Sequence, residues 1–184
     1  MKVSKDVAKE NRASVLQAAS VVMRRSGVAA ASMGEIATLA GLTHGAIYRH
    51  FASKSALAAA AVAFDFEKVI GLLNSDGMTY ERYVKTYLSA QHRDYFPWGC
   101  PAGALAGEMS KLDGAVQAAF VGGMARNIDA LAAVIGGAQA REKATAALAL
   151  MVGALSMARA AAATDSQLSD HILASAAAQL LTNT

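Results

Sequence analysis

Apolar residues in this chain recur at the spacing of a single helix face, and that spacing restricts the fold more than any other feature. Several segments place apolar residues at i, i+3, i+4 and i+7, whereas no segment shows sustained alternation of apolar and polar residues. Between residues 5 and 26 this face consists of Val15, Leu16, Ala19, Val22 and Met23. Gly27 then follows as the kind of residue that commonly ends a helix. The pattern predicts an all-α fold.

The same spacing, together with the capping and helix-breaking residues between segments, predicts about nine helices. They lie at about 5–26, 32–40, 43–50, 54–73, 80–96, 102–111, 115–135, 140–163 and 167–181. Hydrophobic residues make up 54% of the chain and only two residues are proline, so we expect a compact folded protein. The expected domains are an N-terminal head, residues 1–52, and a helical body, residues 53–184, that share the fourth helix.

Two short predicted helices flank a glycine in the head. Ser32 and Glu35 have the spacing of a capping box, in which the serine oxygen accepts from the Glu35 amide and the Glu35 carboxylate accepts from the Ser32 amide. Gly41 ends this helix, and Thr43 is suited to cap a second one that runs to His50. The arrangement is typical of a helix-turn-helix, whose second helix enters the DNA major groove. By geometry alone, an ordinary helical corner with solvated polar side chains fits equally well.

The second short helix has a predicted inward side, Ala46 and Ile47, and a polar outward side. The outward residues are His44, Tyr48, Arg49 and His50. Lys54 follows at the start of the next helix, where backbone amides favour a phosphate. Residues 1–55 carry a net charge of +5 and residues 56–184 a net charge of −2. The head is therefore the part of the chain that we expect to meet DNA, and Arg49 is the best candidate for binding a guanine.

The string SMGEIATLAGLTHGAIYRHFASKSAL strongly resembles the DNA-binding head of the tetracycline-repressor-like (TetR) family of regulators. The residues at family-typical spacing are Ile36, Ala37, Ala40, Gly41, Leu42, Gly45, Tyr48, His50, Phe51, Lys54 and Leu57. The resemblance implies a dimeric transcriptional regulator, most often a repressor, that binds a palindromic double-stranded DNA operator. It also implies that a small-molecule effector enters the body, tilts the fourth helix and separates the two heads.

Carried over residue by residue, the resemblance divides the head into two kinds of DNA contact. Contacts to base edges fall on His44, Gly45, Ala46 and Arg49. Contacts to phosphates fall on Ser32, Thr43, Tyr48, His50 and Lys54. Phe51 is expected to pack the head against the fourth helix, and Tyr48 is expected to contribute partly to packing.

The last two predicted helices carry more apolar surface than a terminal hairpin normally exposes to water. The two stripes are Leu148, Met151, Val152 and Leu155, and Leu168, Ile172, Leu173 and Leu180. Homodimerisation through these helices is the expected way to cover them.

A pocket in the body would be lined by aromatic and methionine side chains. The candidates are Tyr83, Tyr87, Trp98, Met109, Phe120, Met124 and Met151, and ordinary core packing is the alternative for each. His92 and His171 are expected at the surface or an interface.

Cys100 precedes Pro101 at the start of a short helix, where exposed amides would lower the thiol pKa. The stretch GCPAGALAGE is similar to a subgroup of TetR-like regulators with Gly-Cys at the head of the sixth helix, some of which react there. Cys100 is thus either a redox or electrophile sensor or an inert buried thiol.

Other classes of protein have weaker support in the sequence. No phosphate-binding glycine loop, serine-centred elbow or nucleophile–base pair is visible, so we expect neither an enzyme nor a cofactor. The spacing of histidines and the single cysteine indicates no metal site. The longest uncharged run has 15 residues, fewer than the ~20 of a membrane-spanning helix, so a cytoplasmic protein is expected. The rival interpretation is a helical protein-interaction module with no specific DNA target.

Overall fold

The computed structural model describes residues 5–95, 99–112 and 114–182, and within these ranges it has ten α-helices and no strand. The predicted all-α class is confirmed. The helices are α1 (Lys5–Ser26), α2 (Met33–Leu39), α3 (His44–Ile47), α4 (Lys54–Leu73), α5 (Tyr80–Tyr87), α6 (Ala90–Asp94), α7 (Pro101–Leu105), α8 (Gly114–Ile135), α9 (Ala140–Ala161) and α10 (Ser166–Thr182). A 3₁₀ helix, Ala106–Lys111, continues α7.

Two predicted helices of the body differ from the observed ones. The helix expected over 80–96 ends at Tyr87, and a new helix starts because the Ser89 hydroxyl accepts a hydrogen bond from the His92 amide at 3.1 Å. Its expected end before Pro97 lies outside the described residues. The helix expected over 102–111 is α-helical only to Leu105 and then tightens into the 3₁₀ form.

Helix α4 lies at the centre of the molecule, packed against α1 on one side and α8 on the other. Phe66 of α4 is fully buried and meets the Phe120 ring of α8 edge to face at 5.4 Å. One turn further along α8, Gly123 faces the Phe66 ring, and a Cβ at this position would overlap that ring. The close approach of α4 and α8 therefore requires glycine at position 123.

The apolar stripes predicted on the last two helices do not all face outward. Leu148, Met151, Leu155 and Leu173 are buried within the chain's own core. The prediction that they await a partner is wrong for these residues, because α9 packs against α8 and α10, and α10 packs against α9 and α5. The apolar residues exposed on α9 and α10 are Leu150, Met157 and Leu168, which are 38%, 61% and 48% exposed, and of these only Leu168 belongs to the predicted stripes.

Helices α8 and α9 are each long and apolar enough to cross a membrane by length and composition. Both pack against other helices, as core helices do, so this is weak evidence for a span.

Candidate DNA-binding surface and body pocket

The start of α2 is capped as predicted, although only by half of the capping box. The Glu35 amide donates to the Ser32 hydroxyl at 3.4 Å. The Glu35 carboxylate does not return to the Ser32 amide as expected, because it forms an ion pair with the Arg25 guanidinium at the end of α1. The salt bridge holds α2 against α1 instead.

The turn follows the predicted plan, whereas α3 ends at Ile47 instead of continuing to His50 as predicted. Gly41 adopts a left-handed φ of +67°, the conformation in which an L side chain is strained. Thr43 occupies the N-cap position, but its side chain makes no capping hydrogen bond. Ile47 is fully buried, as predicted, and Phe51 behind it is 5% exposed, so these two side chains anchor α3 to the rest of the head.

The outward face of α3 is polar and accessible. Thr43, His44, Gly45, Tyr48 and Arg49 are exposed, and Ala46 and His50 are half-buried. The His44 and Tyr48 rings meet edge to face at 5.3 Å, which supports the half-packing role expected of Tyr48. The residues assigned to base edges and phosphates therefore share one surface, and their DNA contacts stay predictions.

Ser32 and Lys54 are both already engaged in hydrogen bonds within the chain. The Ser32 oxygen caps α2, and the Lys54 Nζ donates to the Ala29 carbonyl at 2.7 Å. A serine hydroxyl keeps its own hydrogen to donate, and an ammonium has three donors. Both side chains therefore retain donors for a phosphate.

A buried charged cluster joins the head to α4, and the sequence analysis missed it. Arg24 of α1 forms a salt bridge with Asp65 of α4, and the Ser20 hydroxyl donates to the same carboxylate. All three residues are at most 5% exposed. Burial raises the pKa of the Asp65 carboxyl, and Arg24 and Ser20 oppose that rise. A charged residue in the last turn of a helix, as Arg24 is in α1, is normally exposed. The sequence therefore gave no indication that Arg24 is buried.

A second link joins the head to the 3₁₀ helix. The Val28 amide, just after α1, donates to both carboxylate oxygens of Glu108, at 2.9 and 3.1 Å. Gly27 turns the chain there with a φ of +82°. Val28 is 5% exposed, so Glu108 supplies the hydrogen bond that this buried amide requires.

The body has a pocket of about 350 Å³ between α4, α5, α6 and the start of α7. Its lining residues are Val69, Leu72, Tyr83, Thr86, Tyr87, Ser89, Gln91, His92, Tyr95 and Cys100. Three of the predicted effector residues, Tyr83, Tyr87 and Cys100, are among them.

The other predicted effector residues do not line this pocket. Met109, Phe120 and Met151 are buried, and Met124 is half-buried against the core, which was the alternative given for each. Trp98 lies outside the described residues. Polar residues of the α5–α6 junction also line the pocket. The prediction missed them because it considered only aromatic and methionine side chains.

His92 is part of the pocket wall, so its predicted surface position is wrong. Its Nδ1 is 2.7 Å from the Tyr87 carbonyl oxygen, and the Cys100 amide donates to its Nε2 at 3.1 Å. These contacts require a neutral ring with its hydrogen on Nδ1. Burial, the main cause, lowers the pKa of His92 and favours that neutral form. His171 is exposed on α10, as expected.

The predicted lowering of the Cys100 thiol pKa is wrong. The residue is 4% exposed, and burial raises the pKa of the thiol, which outweighs the opposing hydrogen bonds from the Tyr87 hydroxyl and from the first turn of α7. The thiol is therefore protonated at neutral pH and resembles a buried structural cysteine in this conformation.

Comparison with known proteins agrees with the geometry of the head. Residues 15–61 match the family described as "Bacterial regulatory proteins, tetR family". Over 97 residues, 53% of this chain, the protein is 35% identical to the probable HTH-type transcriptional regulator ArpR of Pseudomonas putida. The match spans 40% of that relative's length.

Solved structures share the whole architecture. A TetR transcriptional regulator from Legionella pneumophila aligns with a TM-score of 0.76 at 19% identity, covering 100% of this chain and 99% of that one. The reduced form of Escherichia coli NemR aligns with a TM-score of 0.70 at 20% identity, covering 90% of this chain and 94% of that one. At these identities the likeness shows the fold alone.

The geometry of the head and its match define a helix-turn-helix domain. Over residues 15–61 this domain matches the tetR family, and the chain spans less than half the length of the curated relative that it matches.

Proposed function

We propose that the protein is a repressor that binds a palindromic DNA operator as a homodimer and leaves it when a small molecule binds in the body. The observation that carries the proposal is the exposed polar face of α3, which presents His44, Tyr48 and Arg49 while Ile47 anchors the helix. Arg49 can form two hydrogen bonds with a guanine, and the half-buried His50 can reach a phosphate. The net positive charge of the head supports the same interface.

Dimerisation is proposed through the exposed face of α9 and α10. A shallow groove between these helices is lined mainly by apolar and small residues, including Leu150, Met157 and Ile172. Self-association of such a face would remove it from water and set the distance between two copies of α3.

Release by an effector is proposed because the pocket and the head share α4. Val69 and Leu72 of α4 line the pocket, and Asp65 of the same helix binds Arg24 of the head. A ligand that prefers one position of α4 would thereby shift the population of head orientations. Such a regulator acts in the cytoplasm, where the operator is found.

The test is to let the purified protein select DNA duplexes from a pool of random sequences and then to sequence the duplexes that it retains. We expect enrichment of an inverted repeat and an affinity that falls steeply with salt, because phosphate contacts release counterions. Arg49→Ala should abolish sequence preference while the dimer persists in analytical ultracentrifugation. Lack of enrichment at low salt would reject the proposal in favour of a protein-interaction module.

A further inference from the structure

The first two turns of α1 carry three cations on one face. Lys5, Lys9 and Arg12 follow the i, i+4, i+7 spacing of a helix face, and all three are exposed. Within the described part of the chain, none of the three forms an ion pair with an acidic side chain. Asp6 and Glu10 lie about 100° and 140° around the helix from Lys5. We call Lys5, Lys9 and Arg12 the α1 stripe, and its positive charge is not neutralised within the chain.

The α1 stripe continues the buried face of the same helix. The spacing passes from Arg12 to Leu16, Ala19 and Met23, which are all buried in the core. An amphipathic helix that kept this face to its start would carry apolar residues at positions 5, 9 and 12. Val15 is the first buried residue of α1, so the turns before it project beyond the core with cations on the core-facing side. The α1 stripe therefore faces the side of α1 on which the rest of the head lies.

Arg12 links the α1 stripe to the surface of α3. Its guanidinium lies over the Phe51 ring, 5.0 Å from the ring centroid, in a cation–π contact. Phe51 directly follows His50, the last of the outward residues assigned to DNA around α3. The contact uses the face of the guanidinium, whose N–H donors lie in its plane and remain available to an anion. The α1 stripe thus begins beside the surface proposed to meet DNA.

The length and charge of the α1 stripe fit a row of phosphates. Seven residue steps of ~1.5 Å separate Lys5 from Arg12, so the stripe is about 10 Å long. One strand of B-DNA carries a phosphate for each ~3.4 Å of helix axis, which places about three phosphates along that length. An acidic protein surface would also complement the charge. The position of Arg12 beside the α3 surface favours the DNA duplex.

We propose that the α1 stripe binds the sugar-phosphate backbone beside the groove that α3 enters, with about three phosphate contacts per protomer. This inference rests on the proposed function, because it requires a duplex on α3. Residues 5–12 lie outside the stretch 15–61 that matches the tetR family, so that match does not assign the contact. Phosphate contacts increase affinity without carrying sequence information, so the sequence preference is left to α3.

The test measures operator affinity by fluorescence anisotropy between about 50 and 200 mM salt. Each phosphate contact contributes about 0.9 to the slope of log affinity against log salt concentration. Per bound protomer, Lys5→Gln/Lys9→Gln should make that slope shallower by about 1.8, and the triple variant that adds Arg12→Gln by about 2.7. Glutamine has a helix propensity close to those of lysine and arginine, and circular dichroism verifies that α1 stays folded.

Two control variants separate a local contact from net charge and from side-chain shape. Arg82→Gln/Lys111→Gln/Lys143→Gln removes the same charge from exposed positions of the body, and the slope should stay within about 0.5 of the wild type. Lys5→Arg/Lys9→Arg keeps the charge of the α1 stripe and should keep the wild-type slope. The triple variant of the stripe should retain the wild-type ratio of affinities for the operator and for a scrambled duplex, because both duplexes present the same phosphates.

The two proposals fail in different ways. A wild-type slope in the triple variant of the α1 stripe, or an equal loss in the body variant, would overturn the assignment of the stripe. Loss of the operator preference with an unchanged slope would also overturn it, because the stripe would then contact base edges. Wild-type protein that binds all duplexes equally, with a slope that depends on the stripe, would refute the operator and leave the backbone contact intact.

Discussion

The link between Glu108 and the Val28 amide should contribute measurably to stability. Substituting Glu108 by alanine removes both acceptor oxygens and leaves a buried amide, in a residue 5% exposed, without its hydrogen bond. A hydrogen bond to a charged group contributes about 1.5–3 kcal/mol, and the half-buried carboxylate places this one near the lower end. We therefore expect Glu108→Ala to lower the free energy of unfolding by about 1.5 kcal/mol.

Urea denaturation followed by circular dichroism measures this loss. With a slope of about 2 kcal/mol per molar urea, the midpoint should fall by about 0.7 M. Glu108→Gln keeps one neutral acceptor and should lose about half as much. Lys111→Ala, an exposed change in the same 3₁₀ helix, is the control and should leave the midpoint within about 0.2 M of the wild type. A Glu108→Ala protein that unfolds at the wild-type midpoint would refute the reasoning.

Three further predictions concern packing, reactivity and pH. Gly123→Ala should lower stability in the same urea assay by about 1–3 kcal/mol, because its Cβ overlaps the Phe66 ring. Gly122→Ala, whose Cβ would meet only the Arg126 side chain at 3.7 Å, should instead be neutral or stabilising by up to about 1 kcal/mol. Cys100 should react with a maleimide far more slowly at pH 7.5 in the folded protein than in 6 M urea, measured by intact mass, and equal rates would contradict its burial. The free energy of unfolding should be insensitive to the ionisation of Cys100, Tyr83 and Tyr87 below pH 8. It should fall above about pH 9, because the unfolded state releases their protons before the folded state does, and a flat alkaline profile would argue against the raised pKa values.

The structure of the head could be predicted because each feature that forms it depends on residues close together in the sequence. Ser32, Gly41 and Ile47 each act within a few residues of their own position, through a cap, a left-handed turn and a helix periodicity that the sequence displays directly. The break in the helix predicted over 80–96 also has a local cause, because Ser89 caps the helix that follows the break. The serine could have indicated this boundary. That cap was overlooked because the surrounding residues continue the helical pattern.

The pocket and the links between head and body were not predictable in the same way. Glu108 lies 80 residues from Val28, and Asp65 lies 41 residues from Arg24, so neither contact leaves a periodic signal. His92 resembles a surface residue in the sequence and becomes a wall residue only because the chain returns at Cys100 to bind its ring. Such pairings depend on the packing of α4, α5 and α7.

The salt bridge between Arg24 and Asp65 also determines where this protein could be joined to another. A fragment or chimera cut after residue 52 would keep Arg24 and lose Asp65, which lies in α4. Removing one partner of a buried ion pair typically costs about 3–5 kcal/mol, enough to unfold a small head. A crossover in the turn after α4, near Asn74 to Gly77, keeps the pair together, so α4 would be transferred together with the helices of the head.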